Sequence, residues 1–173
     1  AASETRRNPD NESASRDTRV PALSDLMDTT PKPLMFDADN GGRPEHIPFL
    51  ISSLERQGVS AVVMEDKIGL KRNSLFSDQS TTYQDTIKNF SDKIRIASKS
   101  KKYKDFLIVA RIESLILGQG VEDALKRANA YSKNGADLIL IHSKDKNPKE
   151  IFKFSKIFKK SKYSKPLIAV PSS

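Results

Sequence analysis

From residue 33 onward the chain alternates between two hydrophobic patterns. Short apolar runs occupy PLMFDAD (33–39), SAVVMED (60–66), FLIVARIE (106–113), ADLILIHS (136–143) and KPLIAVPS (165–172). Runs this continuous read as strands buried on both faces. Between them, apolar residues recur at helical spacing. Ile47, Leu50, Ile51 and Leu54 share a face, with Pro48 suited to a first turn and Gly58 to a stop. Ile87, Phe90, Ile94 and Ala97 line a second helix, and Val121, Ala124, Leu125, Ala128 and Tyr131 a third that ends at Gly135. A fourth opens at Asn147-Pro148 and buries Ile151, Phe154 and Phe158. Strand and helix in repeated alternation predict an α/β fold with a parallel sheet.

The polar residues that interrupt this pattern fall at the C-terminal ends of successive strands. They are Asp37 and Asp39, Glu65 and Asp66, Arg111 and Glu113, His142 and Ser143. Loops from neighbouring strands converge on that edge of a parallel sheet, so a site is expected there. A closed barrel takes eight strands and about 250 residues. Five strands in 173 residues therefore read either as an open sheet or as part of a barrel lacking material at both ends.

Composition narrows the classes. With no cysteine, disulfides, a thiol nucleophile and cysteine-ligated zinc are excluded. No apolar run reaches the roughly 18 residues of a membrane span, and the polar opening AASETRRNPDNESASRDTR is not a signal peptide; a cytoplasmic location is expected. The net charge of +8 sits largely in KSKKYK (99–104) and KFSKIFKKSKYSK (153–165). Neither stretch carries a nucleic-acid module, so both read as solvated lysine faces and no nucleic-acid or membrane partner is expected.

At the sheet edge, DADNGG (37–42) sets two carboxylates at alternate strand positions, able to face one ligand. That pair suits magnesium, which takes oxygen ligands and keeps several waters; an Asp-rich turn with glycines at positive φ explains it equally. Glu65 can join them or form a salt bridge at the strand end, for example with Lys67. Arg111, inside apolar VARIE, needs a carboxylate or phosphate partner. Strand alternation is read as arguing against Glu113, leaving an acid on a neighbouring strand. His142 follows LILI on the same edge, whereas His46 reads as a cap or surface residue. The connection after Glu65 runs about 17 residues, long enough for a lid. Within it Lys71 and Asn73 could close over an anion while Leu75 and Phe76 exclude water.

Taken together, DADNGG, EDKIGLKRNSLF, VARIESLILGQG, EDALKRANAYSKNGADLILIHSK and the closing VPS resemble the phosphoenolpyruvate mutase family of the isocitrate lyase superfamily. The resemblance runs from about Asn8 to the end, in order along the chain. It implies a partial (β/α)8 TIM-type barrel over 21–173, preceded by a polar segment, 1–20, that carries an active-site loop. It implies magnesium held by Asp37, Asp39 and Glu65, directly or through water. Lys71, Asn73, Ser74 and Leu75 correspond to a gating loop, Arg111 and His142 to substrate contacts, and Asp10 to an active-site aspartate. The implied reaction interconverts phosphoenolpyruvate and phosphonopyruvate, in an enzyme that is a homo-oligomer at full length. The superfamily's lyases carry a loop cysteine that this chain lacks. Its phosphonopyruvate hydrolases resemble K-x-T-S where this chain has Lys71-Arg72-Asn73-Ser74. Phosphonopyruvate hydrolase, or another C–C or C–P lyase of the superfamily, is one alternative, and a non-catalytic truncated remnant binding a partner through its basic face is another. The family's flanking strands have no counterpart here, so the chain is expected to be a fragment.

Overall fold

The computed structural model describes Leu23, Thr29, 32–68 and 83–170. Five strands form one sheet: β1 (Met35–Asp37), β2 (Ala61–Glu65), β5 (Leu107–Ile112), β6 (Leu138–His142) and β7 (Leu167–Val170), in that spatial order. Every pairing in it is parallel. The helices between them are α1 (Ile47–Arg56), α2 (Ile87–Ser100), α3 (Gly120–Lys133) and α4 (Lys149–Phe158). Each lies where its apolar spacing places it. Thr86 caps α2, its hydroxyl oxygen accepting from the amide of Asn89 at 3.1 Å. Asn147 accepts from Lys149 N at 3.2 Å as α4 begins. Gly135 follows α3 at φ +107, a conformation other residues reach only with strain.

The period-two side-chain alternation of strands sorts the sheet's two faces into different chemistry. One face, carrying Phe36, Val62, Met64, Ile108, Ala110, Ile112, Ile139 and Ile141, packs against the helices in the main core. There Phe90 and Tyr131 meet edge to face, centroids 4.8 Å apart. The other face holds a smaller apolar cluster, Ala61, Val63, Val109 and Leu140. Continuing along that same face by twos reaches Glu65, Arg111 and His142 at the C-terminal ends of their strands. The result is an apolar floor with a charged rim.

The outer strands depart from the expectation of burial on both faces. Met35 at one edge is 46 % exposed and Val170 at the other 38 %. A further difference lies after β2. That connection is not irregular throughout, because Lys67–Ile68 (β3) and Tyr83–Gln84 (β4) pair antiparallel and bring its two ends together. No helix among the described residues is long and apolar enough to cross a membrane. The lysine faces are largely exposed, but Lys101 is not idle. Its ammonium donates to Asp137 at 2.7 Å and to the Phe106 carbonyl at 3.0 Å, while Asp137 also accepts from Ile108 N.

Candidate active site

Sheet register brings the predicted edge residues together. Glu65 lies directly across from Arg111, and Arg111 across from Leu140, two residues before His142. The Arg111 guanidinium therefore sits between the two neighbouring strand ends. Its Nε is 3.6 Å from Glu65 Oε2, and Nη2 is 3.2 Å from His142 Nδ1.

Arg111 also donates from Nε to Glu113 Oε1 at 2.5 Å, with Glu113 fully buried. This corrects the expectation that alternation would keep the two apart. Residues i and i+2 share a side, so the acid just past the end of β5 returns to the face that carries Arg111. Burial opposes the charge on Arg111, but Glu113 and then Glu65 outweigh it and raise its pKa above the ordinary value. The guanidinium is a fixed cation, anchored by a bond to a buried carboxylate.

Because a guanidinium only donates, His142 Nδ1 must accept from it, which leaves the ring proton on Nε2. Burial, Arg111 and Lys67 hold the imidazole pKa below 6.5, against the opposing pull of Glu113. His142 is therefore a neutral Nε2–H donor and not a second cation.

The acidic side is built by a turn. Gly41 N donates to Ala38 O and Gly42 N to Asn40 Oδ1, each at 2.9 Å, folding DADNGG back on itself. Asp39 adopts φ +52, with its amide donating to Asp37 Oδ1 at 2.9 Å and its carbonyl accepting from Glu65 N at 2.8 Å. Gly41 lies at φ +76, and a Cβ there would stand 2.7 Å from Met64 Sδ. The turn that carries both aspartates is thereby keyed to the strand that carries Glu65. Burial pushes the Glu65 carboxyl up to about 7; Arg111 and Lys67 oppose this, while Glu113 and Asp37 add to it. Among the described residues, no group of three or more His, Asp or Glu side chains is arranged to cage a metal.

Asp37, Asp39, Glu65, Arg111 and His142 are thus placed on one edge. Asp10, Lys71, Asn73, Ser74 and Leu75 lie outside the described residues, as does the whole of the polar segment 1–20. His46 stands exposed at the start of α1 with no capping bond from its side chain.

Sequence reasoning missed Asp66, which is fully buried. Its Oδ2 accepts from Tyr131 Oη (2.7 Å), Gln84 Nε2 (3.0 Å) and Arg127 Nη1 (3.2 Å), and its Oδ1 from Glu113 N (2.9 Å). Burial raises its carboxyl to about 6 despite those donors. A signal was present, since Arg127 falls between Ala124 and Tyr131 on the apolar side of α3, where a charge needs a partner.

The profile of the phosphoenolpyruvate phosphomutase family matches residues 1–173. The chain is 39% identical over 165 residues to the phosphoenolpyruvate phosphomutase of Tetrahymena pyriformis, covering 95% of this chain and 54% of that one. It is 36% identical over 166 residues to the phosphonopyruvate hydrolase of Variovorax sp. (strain Pal2), covering 95% and 56%. A solved phosphonopyruvate hydrolase in complex with oxalate and Mg2+ superposes with a TM-score of 0.82 at 33% identity, covering 97% of this chain and 56% of that one. This chain thus spans about half the length of these relatives, and its five strands are part of a TIM-type barrel. On the match of its whole length and on the fold, it belongs to the phosphoenolpyruvate phosphomutase family.

Proposed function

We propose that the chain carries the phosphoryl-handling edge of a phosphoenolpyruvate mutase, which interconverts phosphoenolpyruvate and phosphonopyruvate. The carrying observation is the register that sets fixed Arg111 and neutral His142 beside the acidic edge of Asp37, Asp39 and Glu65. In the forward direction the bond between phosphorus and the enol oxygen breaks, its electron pair staying on oxygen. The methylene carbon of the resulting enolate then attacks phosphorus, and the enolate oxygen becomes a ketone. Every atom is conserved and no proton moves, so the chemistry calls for positioning and charge stabilisation more than for a base.

Arg111 orients the phosphoryl oxygens while Glu113 holds its fork still. His142 donates one neutral hydrogen bond without adding charge that would trap the transferring group. The donor set at the acidic end suits magnesium. All its donors are oxygens, and Glu65 sits where burial, Glu113 and Asp37 resist further negative charge. Magnesium is commonly held by only one or two carboxylates, with water completing its shell. Asp37, Asp39 and Glu65 would hold it, directly or through water. When bound, Mg2+ would supply positive charge to the pyruvyl oxygens.

The test is phosphorus-31 NMR of the full translated protein given phosphonopyruvate and Mg2+. Phosphoenolpyruvate is the expected product. Pyruvate with inorganic phosphate would instead establish hydrolysis, the second reading, which the 36% identity to a hydrolase supports. Asn73→Ala is expected to depress mutase turnover; an unchanged rate would remove Asn73 from the mechanism.

A further inference from the structure

Two buried cations on the helices tie the loops of the sheet edge to one another. Arg127 of α3, 8 % exposed, donates from Nη1 to Asp66 Oδ2 (3.2 Å), to the Asp85 carbonyl (2.7 Å) and to Tyr131 Oη (3.0 Å). Its Nε donates to Asp123 Oδ2 at 2.7 Å, and Asp123 in turn accepts from Ser114 just past β5. Lys93 of α2, 9 % exposed, donates to the Asn40 carbonyl at 3.0 Å and lies 3.9 Å from Asp85 Oδ2.

Asp66 joins these contacts to the reactive edge. Its backbone amide donates to the Arg111 carbonyl at 3.2 Å, and its carbonyl accepts from Asp85 N at 2.8 Å. Its Oδ1 takes the amide of Glu113, whose side chain grips Arg111. The polar path thus runs from Asn40 in the carboxylate turn through Lys93, Asp85, Arg127 and Asp66 to Glu113, Arg111 and His142. Four loops and the β3–β4 ribbon share it.

Burying so many polar groups is costly where an apolar cluster would have sufficed for packing. Directional bonds give what apolar packing does not, a fixed relative orientation. We propose that Arg127 and Tyr131 of α3, together with Lys93 of α2, are positioning residues that set Arg111 and the carboxylate turn in their mutual register. None is among the residues assigned to the candidate site. They act through Asp66, Glu113 and Asn40. The inference rests on the functional reading above for its catalytic consequence and on geometry alone for its structural one.

Tyr131→Phe tests it with the least disturbance, because the ring against Phe90 is kept while the hydroxyl's bonds to Asp66 and from Arg127 are removed. Arg127→Lys is the second variant, keeping charge but losing the fork. Phe90→Leu is the control, since it loosens the same packing and leaves the polar path intact. The full translated protein is examined by urea denaturation, by turnover of phosphonopyruvate and by NMR of the Arg111 Nε–H and the His142 ring. Tyr131→Phe is expected to lower kcat about tenfold with KM changed less than about threefold, and to shift both NMR signals. Arg127→Lys should act the same way. Phe90→Leu, although destabilising, should leave kcat within about twofold and the signals in place. Unmoved Arg111 and His142 signals in both polar variants, or a Phe90→Leu variant that reproduces the losses, would overturn the proposal. If the wild-type protein turns over no phosphonopyruvate, the functional reading fails, and the NMR comparison still decides the positioning role.

Discussion

Gly41→Ala probes the seat of the carboxylate turn. At φ +76 a side chain enters the left-handed region, which costs about 1–2 kcal/mol for a residue with a Cβ. The new methyl would also stand 2.7 Å from Met64 Sδ, inside any real contact. Methionine bends readily, but Met64 is fully buried in the main core. Relief must therefore come from neighbours, at the roughly 1–3 kcal/mol typical of overpacking. The sum predicts a loss of about 2–5 kcal/mol of unfolding free energy in urea. Conformational strain and clash separate in a double-mutant cycle. Met64→Ala removes the clashing sulfur at its own cavity cost of about 2–5 kcal/mol. The double variant should then be more stable than the sum of the singles predicts, by the clash component of about 1–3 kcal/mol. Additivity within about 0.5 kcal/mol would refute the keyed-turn reasoning. Calorimetric titration with Mg2+ and oxalate should show weaker binding in Gly41→Ala, because the turn presents Asp37 and Asp39.

Glu113→Gln weakens a charge-assisted bond to Arg111 in a fully buried place and should cost about 1.5–3 kcal/mol. Glu113→Ala, which strands the guanidinium, should cost about 3–5, and wild-type denaturation of the alanine variant would sink the pairing. His142 has its pKa lowered, so between the folded value and 6.5 the unfolded chain binds more protons. Its contribution to stability is complete above pH 6.5 and is lost as pH falls toward the folded value. With only two histidines in the chain and His46 exposed, nitrogen-15 NMR can follow His142 alone. A ring protonated at Nδ1 when neutral, or titrating above 6.5, would contradict the assignment. Asp137→Ala should lose about 1.5–3 kcal/mol through its bonds to Lys101 and Ile108 yet leave turnover unchanged, and a matching loss of activity would show that this corner is coupled to the site.

The parts of the fold that were legible in the sequence depend on local periodicity. The four helices and five strands follow from spacings of three to four or from continuous apolar runs. Arg111 and Glu65 stood out because a charge inside an apolar strand has few explanations. Glu113 was misjudged through alternation itself. The residue lies just beyond the strand, where the twofold rhythm still aims its side chain at Arg111. Asp66 was legible only as half of an acidic pair, since its donors Arg127 and Tyr131 lie 61 and 65 residues away in the chain. Arg127 within KRANAY resembles the solvated lysines around it unless its place among the alanines of α3 is weighed. Long-range polar pairing leaves no periodic trace, which is why the supporting network was invisible while the charged edge was not.

The division of the sheet into a helix-packed face and a charged-rim face has a consequence for how this sequence can change. A substitution at the rim alters one side chain. Inserting or deleting a single residue within β5 would exchange Arg111 with Ile112, driving a guanidinium among the helices and an isoleucine into the site. Core and candidate site would fail together from one event. The strand segments should therefore accept point replacements of similar volume but refuse length changes of one, and length variation should be confined to the connections between them.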